Sequence, residues 1–273
     1  MPSTRNTPAP VAGDVAAPAV GRLTARSVIA STLLGVSPPE LPTRSLVATA
    51  ELLGVAPGTA RVAMSRMVAA GELEATGDGY RLVGRPLLTR RSRQELSRRG
   101  PAGRWDGTWR TGVVTTEGRT AGARAELRAA MGALRFGELR EGVWLRPDNL
   151  PAGALPDQEA LVAAECTWVR GRPEDPVAVV TRCWDLDGWA RRAAALQREV
   201  DRLGARLADH DHTALAEGFV ASAAVLRHLQ ADPLLPPELT PDAWPGPALR
   251  RGHAAYDDAF KATLAAWLRG RRS

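Results

Sequence analysis

Between Thr43 and Val83 the apolar positions change period twice. Leu46, Val47, Ala50, Leu52 and Leu53 recur at helical spacing, with Thr43 placed as an N-cap and Gly54 as a stop. Pro57 opens a second helix in its first turn, where the missing N–H is not needed. That helix, Pro57 to Ala70, turns Ala60, Ala63, Met64, Met67 and Val68 inward and Thr59, Arg61, Val62, Ser65 and Arg66 outward. Gly71 closes it. Two short strands follow, Glu72–Thr76 and Tyr80–Val83, joined through Gly77-Asp78-Gly79. An earlier helix, Leu23 to Leu34 with Thr24 as its cap, precedes a Ser37-Pro38-Pro39 loop. Helix, helix, three-residue gap, helix and hairpin is the order of a winged helix-turn-helix, here residues 22–84, a DNA-binding head.

The pattern then shifts. Residues 85–104 read as a basic linker helix, with Arg85, Arg90, Arg91, Arg93, Arg98 and Arg99 around Leu87, Leu88 and Leu96. It is either a solvated connector or a second phosphate-contacting or dimer element, and Gly100 to Gly103 reads as a hinge. From Trp105 strands and helices alternate. Thr108–Thr116, Phe136–Leu139, Val143–Arg146 and Ala164–Val169 read as strands, with helices over Arg119–Leu134 and Pro156–Leu161. This β-α-β-β-α-β order matches a ferredoxin-like domain over 105–172. Residues 173–273 read as a helical domain, with helices over Asp175–Cys183, Leu186–Leu207, Thr213–Leu229 and Ala248–Leu268. Between the last two, Asp232–Pro247 holds six prolines and reads as a loop. Residues 1–21, rich in Pro and Ala without an apolar block, read as a disordered tail and not as a signal peptide. The class is α+β.

Charge sharpens the picture. Residues 1–104 hold 14 Arg against 7 acidic residues, whereas residues 105–273 are nearly balanced. The positive excess sits with the head, where phosphate would want it. Lys261 is the single Lys among 36 basic residues, a bias that fits a GC-rich coding sequence and carries no argument about phosphate. All eight Trp lie at or beyond Trp105, which marks a boundary near Arg104. No apolar run approaches the ~20 residues of a membrane span. Cys166 and Cys183 form neither a metal-ligand spacing nor a disulfide framework, so a cytoplasmic protein without cofactor or metal is expected.

Candidate chemistry concentrates on the second helix of the head. A recognition helix offers its N-terminal residues to base edges, which selects Thr59, Arg61, Ser65 and Arg66. Arg44, at the start of the preceding helix, is placed for phosphate. Tyr80 and Arg81 would let the wing touch the adjacent groove, although Tyr80 can equally pack under the hairpin. His210-Asp211-His212 is too sparse for a metal site. A metal-dependent nuclease, the competing class, would use carboxylates at the ends of the first central strand, where Asp106 and Glu117 stand. One carboxylate in a turn is insufficient, and no Ser-His-Asp or Cys-His set is evident, so no enzyme is expected.

Four segments carry a family resemblance: GVAPGTARVAMSRMVAAGELE from Gly54, WDGTW from Trp105 with GVWLRP from Gly142, WDLDGW from Trp184, and DPLLPPELTPDAWPG from Asp232. The chain resembles the PaaX-type transcriptional regulators, repressors of phenylacetic acid catabolism. The resemblance implies a homodimer on a palindromic operator, released by an aryl-CoA thioester such as phenylacetyl-CoA. One departure is Ala56, which stands where a Ser or Thr cap worth ~1 kcal/mol is expected. An aryl-acyl effector wants aromatic walls and Arg for phosphate. Trp105, Trp109, Trp144 and Trp168 lie on central strands, with Arg110, Arg146, Arg170 and Arg182 nearby. Trp109, Arg110, Trp144 and Arg146 are taken as the effector set, the alternative being that these tryptophans are core. A ligand-independent DNA-binding regulator remains a further alternative.

Overall fold

The computed structural model describes residues 24–101 and 104–271, so the expected tail over 1–21 lies outside the described residues. The architecture is α+β, helices with two small antiparallel sheets. The first helix, α1 (Ala25–Leu34), begins where the Thr24 hydroxyl accepts the Ser27 N–H at 3.1 Å. Strand β1 (Glu40–Pro42), helices α2 (Thr43–Leu52) and α3 (Pro57–Ala69), and strands β2 (Leu73–Ala75) and β3 (Gly79–Leu82) follow. The sheet order is β1-β3-β2. Ile29, Leu33, Leu46, Ala50, Ala60, Met64 and Met67 close its core.

Three local expectations change. The loop after Ser37 ends in a strand, β1, because an edge position tolerates Pro42. Thr43 is the first residue of α2 and not its cap. Its N–H and hydroxyl both donate to the Asp78 carbonyl, at 2.9 and 3.0 Å. The turn between β2 and β3 therefore serves as the cap that Pro42 cannot supply. Val68 is exposed, since at 100° per residue the buried stripe centres on Ala60, Met64 and Met67.

Helix α4 (Arg85–Arg99) is no solvated connector. Gln94, Leu96 and Ser97 are buried on it, and it packs along α1 and a C-terminal helix. Arg91 donates to Ser37 at 3.1 Å and to Glu95 at 3.0 Å. The arginines of α4 are thus spent partly on intramolecular contacts. Gly100, at φ 76°, caps the helix by donating to Leu96, and residues 102–103 of the expected hinge lie outside the described residues.

The middle segment runs β4 (Trp109–Val114), α5 (Ala121–Ala133), β5 (Gly137–Arg140), β6 (Val143–Pro147), α6 (Pro156–Glu165) and β7 (Cys166–Gly171). The strand order is β5-β6-β4-β7, every neighbour antiparallel. One face of the sheet buries Trp144 and Phe136 beneath Leu127, Met131 and Val162 of α5 and α6. The other buries Trp109 and Leu145 beneath Val180 of α7 (Pro176–Cys183).

The remaining helices, α8 (Leu186–Ala208), α9 (Ala214–Gln230) and α10 (Gly246–Gly270), share one core through Leu196, Val200, Leu203, Leu215, Val225 and Tyr256. The proline-rich loop between α9 and α10 holds the parts together. Leu234 enters the core under α5 and α6, and Leu235 enters the core under α7. Trp244 stacks on Trp189 with centroids 4.5 Å apart, and Trp189 stacks on His228 at 4.4 Å.

Candidate nucleic-acid interface

Helix α3 is amphipathic in an unusual sense. Its inner stripe of Ala60, Met64 and Met67 is fully enclosed. Its outer face, Thr59, Arg61, Val62, Ser65 and Arg66, is exposed along its whole length. Arg44, the second residue of α2, is exposed as well. Among the described residues Arg44, Arg61 and Arg66 form no ion pair, whereas Arg26, Arg81 and Arg85 do so with Glu72, with Glu40 and Glu74, and with Asp157. Three free guanidiniums therefore stand on α2 and α3, Arg44 near the start of α2, Arg61 in the first half of α3 and Arg66 in its last turn, on a head whose other described cations, Arg26 and Arg81, are paired with carboxylates. The start of α3 has no side-chain cap, since Ala56 lacks the oxygen, so the Gly58 and Thr59 N–H groups carry no intrahelical partner.

The hairpin residues read differently in three dimensions. Arg81 lies opposite both Glu40 and Glu74 across β1-β3-β2, with its Nε 3.0 Å from Glu40. A guanidinium held between two carboxylates has little net charge left for phosphate. Tyr80 packs against the head core. The turn that would reach outward is folded back onto Thr43.

The expected effector set does not come together. Successive residues of a strand face opposite sides, so Trp109 lies on the α7 face while Arg110, Trp144 and Arg146 lie on the α5–α6 face. Trp109 and Trp144 are core. On the second face Arg110 stacks over Trp168 at 4.9 Å and Arg146 over Phe136 at 5.1 Å. Arg146 is buried and donates to the Pro147 carbonyl at 2.9 Å, and burial pulls its pKa down to about 10. The cavity there measures about 60 Å³, well under the ~150 Å³ that receives a benzene ring.

A larger space lies between the head and the C-terminal helices, with a volume of about 510 Å³. Its walls come from α1, α2, α4, α9 and α10. Sequence reading missed it because its lining is scattered over five segments with no shared motif.

The other candidate chemistry is structural. Asp211 accepts from Thr213 and Arg206, and those bonds hold its pKa below the usual carboxylate range. Burial pushes the Cys183 thiol up to about 11, which makes it a poor nucleophile. Asp106 accepts the Thr108 N–H at 2.8 Å as a turn cap. Among the described residues no three His, Cys, Asp or Glu side chains gather as metal ligands. No described helix is long and apolar enough to cross a membrane.

Three family models match successive parts of the chain: "PaaX-like protein" over residues 24–85, "PaaX protein central Cas2-like domain" over 102–172, and "PaaX-like protein C-terminal domain" over 184–269. Among solved structures, an uncharacterized protein, Rv0674 from Mycobacterium tuberculosis, is 40% identical with a TM-score of 0.66, covering 89% of this chain and 98% of its own. No curated protein matches.

Proposed function

Because the chain belongs to the PaaX family, we propose that it is a DNA-binding transcriptional regulator of phenylacetate catabolism. On this reading it is a homodimeric repressor that leaves a palindromic operator when an aryl-CoA thioester such as phenylacetyl-CoA binds. The observation that carries the reading is the free cationic face of α3, with a further free cation in Arg44 near the start of α2, against the paired Arg26 and Arg81 elsewhere on the head. The head is then a winged helix-turn-helix with a short wing. The middle segment is then ferredoxin-like, for which its strand order and antiparallel pairing are the support.

The chemistry follows from the geometry. In the major groove Arg61 and Arg66 can each pair in bidentate fashion with guanine. Thr59 and Ser65 reach phosphate or base, and Val62 offers a methyl surface to thymine. The uncapped N-terminus of α3 donates backbone N–H groups to phosphate, and Arg44 adds charge at the start of α2. Two heads in successive major grooves would lie ~34 Å apart. The test is gel retardation with the DNA upstream of the protein's own gene, with and without Mg²⁺. Retardation without degradation is expected, together with a loss on Arg61→Ala or Arg66→Ala of ~1–3 kcal/mol each. Unchanged affinity in both variants sinks the assignment of α3, and Mg²⁺-dependent degradation favours a nuclease.

A further inference from the structure

The 510 Å³ cavity has one wall from the head and another from the C-terminal helices. Phe219 and Leu226 of α9 and Phe260, Leu264 and Leu268 of α10 make it apolar on the body side. Ser45 and Thr49 of α2 line the head side, one helix before α3. A volume of this size is in the ~300–1,000 Å³ range of small-molecule sites.

Its polar groups are partly committed: Arg90 donates to Ser31 at 3.3 Å, Thr49 to the Ser45 carbonyl at 2.8 Å, and Ser222 bonds His253 at 3.0 Å. Arg90, Arg98 and Arg227 line it, and none forms an ion pair among the described residues. Lys261, the remaining cation, is held by Asp257 at 2.7 Å. Burial, and then the like charge of Arg227, lower the pKa of Arg90. Arg90 and Arg227 are near enough for their like charges to act on each other, and such a pair gains from a shared anion. Gln94 also lines the cavity, is 5% exposed, and has no hydrogen-bond partner among the described residues. Its amide is left open to the cavity, where a ligand carbonyl or amide can meet it.

We propose that this cavity binds an anionic amphiphile, an acyl or aryl-acyl chain carried on a carboxylate or phosphate-bearing handle. The chain lies against Phe219, Leu226, Phe260 and Leu264, the anion meets Arg90, Arg98 and Arg227, and Gln94 bonds to the linking amide or carbonyl. The proposal rests on the regulator reading only for its consequence. A molecule touching both α2 and α9–α10 has different affinities for different head positions, and it shifts DNA binding by that difference and no more. It moves the effector site out of the middle segment, whose cavity is too small.

The test is calorimetric titration of the full chain, without DNA, using phenylacetyl-CoA, hexanoyl-CoA, free CoA and phenylacetate. Binding of a thioester, with free CoA at least tenfold weaker, is expected. Binding of phenylacetate as tightly as the thioester assigns the anion to a carboxylate. Ala223→Trp, which fills the cavity from α9, and Arg227→Ala should each weaken binding at least tenfold. Arg227 is exposed, so Arg227→Ala keeps the test alive should the bulkier variant fold poorly. Wild-type affinity in folded Ala223→Trp or in Arg227→Ala, or no binding of any of the four molecules, overturns the proposal. Gel retardation of the same samples reads the regulator function separately, so loss of one does not imply loss of the other.

Discussion

Asp232 and Arg250 form an ion pair at 2.5 Å in which the carboxylate is 1% exposed and the guanidinium 9%. Arg250 reaches on to the Ser97 carbonyl at 2.8 Å, in the last turn of α4, where a cation also suits the helix end. The other Asp232 oxygen accepts the Leu234 N–H at 2.9 Å. Ser97 in turn accepts from Arg135 at 2.7 Å. One buried node thus ties α4, the middle segment, the proline-rich loop and α10 together. Asp232→Ala leaves Arg250 buried and unpaired, which should cost ~3–5 kcal/mol. Urea unfolding measures it. Replacing both residues by apolar ones of similar volume should cost less than the single change.

Acid should destabilise the C-terminal helices through two histidines. Burial pulls His253 down to about 4 and lowers His228 as well. His253 bonds Ser222 at 3.0 Å, and His228 donates from Nε2 to the Trp189 carbonyl at 3.0 Å. Both are neutral when folded and bind a proton more readily when unfolded. Stability is therefore full above the unfolded value near 6.5 and falls as pH drops toward about 4, by at most ~1.4 kcal/mol per pH unit for each group. Thermal melts between pH 7 and 5 should show this loss, and His253→Gln should flatten it. An unchanged slope in that variant removes His253 as a cause.

Two glycines of the head should respond oppositely. A Cβ on Gly79 would meet the Leu41 carbonyl oxygen at 2.1 Å, in the backbone of β1, so Gly79→Ala should unfold or distort the head. A Cβ on Gly58 meets nothing within 4 Å, so Gly58→Ala should stabilise α3 by ~0.4–1 kcal/mol. Gly58 nevertheless sits at the uncapped end proposed to face phosphate. A raised Tm with weakened operator binding is the expected pair of results, and a raised Tm with full affinity places the phosphate elsewhere.

Arg44 and Arg81 separate free from committed charge. Arg44→Ala should reduce the salt slope of operator binding by about one unit. Arg81→Ala removes a cation already shared by Glu40 and Glu74 and should leave that slope nearly intact. Equal effects from both would show that the wing touches phosphate despite its carboxylates.

The amphipathic helices were legible because periodicity is local. Met64 and Met67 against Arg61 and Arg66 is a statement about 100° per residue and needs no other part of the chain. The proline-rich loop was legible as a signature, but its reason was not. Asp232, Leu234, Leu235 and Trp244 are staples to partners distant in sequence, and nothing near them in the chain names those partners.

By itself the amino-acid order placed the helices and every strand but β1 to within a few residues, and it determined which face of α3 is apolar and the membership of the chain in its family. These are matters of side-chain size, period and turn chemistry within some tens of residues. Only the folded chain decided which cations are free. Arg81 and Arg66 look alike in one dimension, and the difference is a carboxylate brought in by another strand. The same holds for Trp109 and Trp144, parted by the pleat, and for the cavity under α2, which exists because five separate segments meet around it.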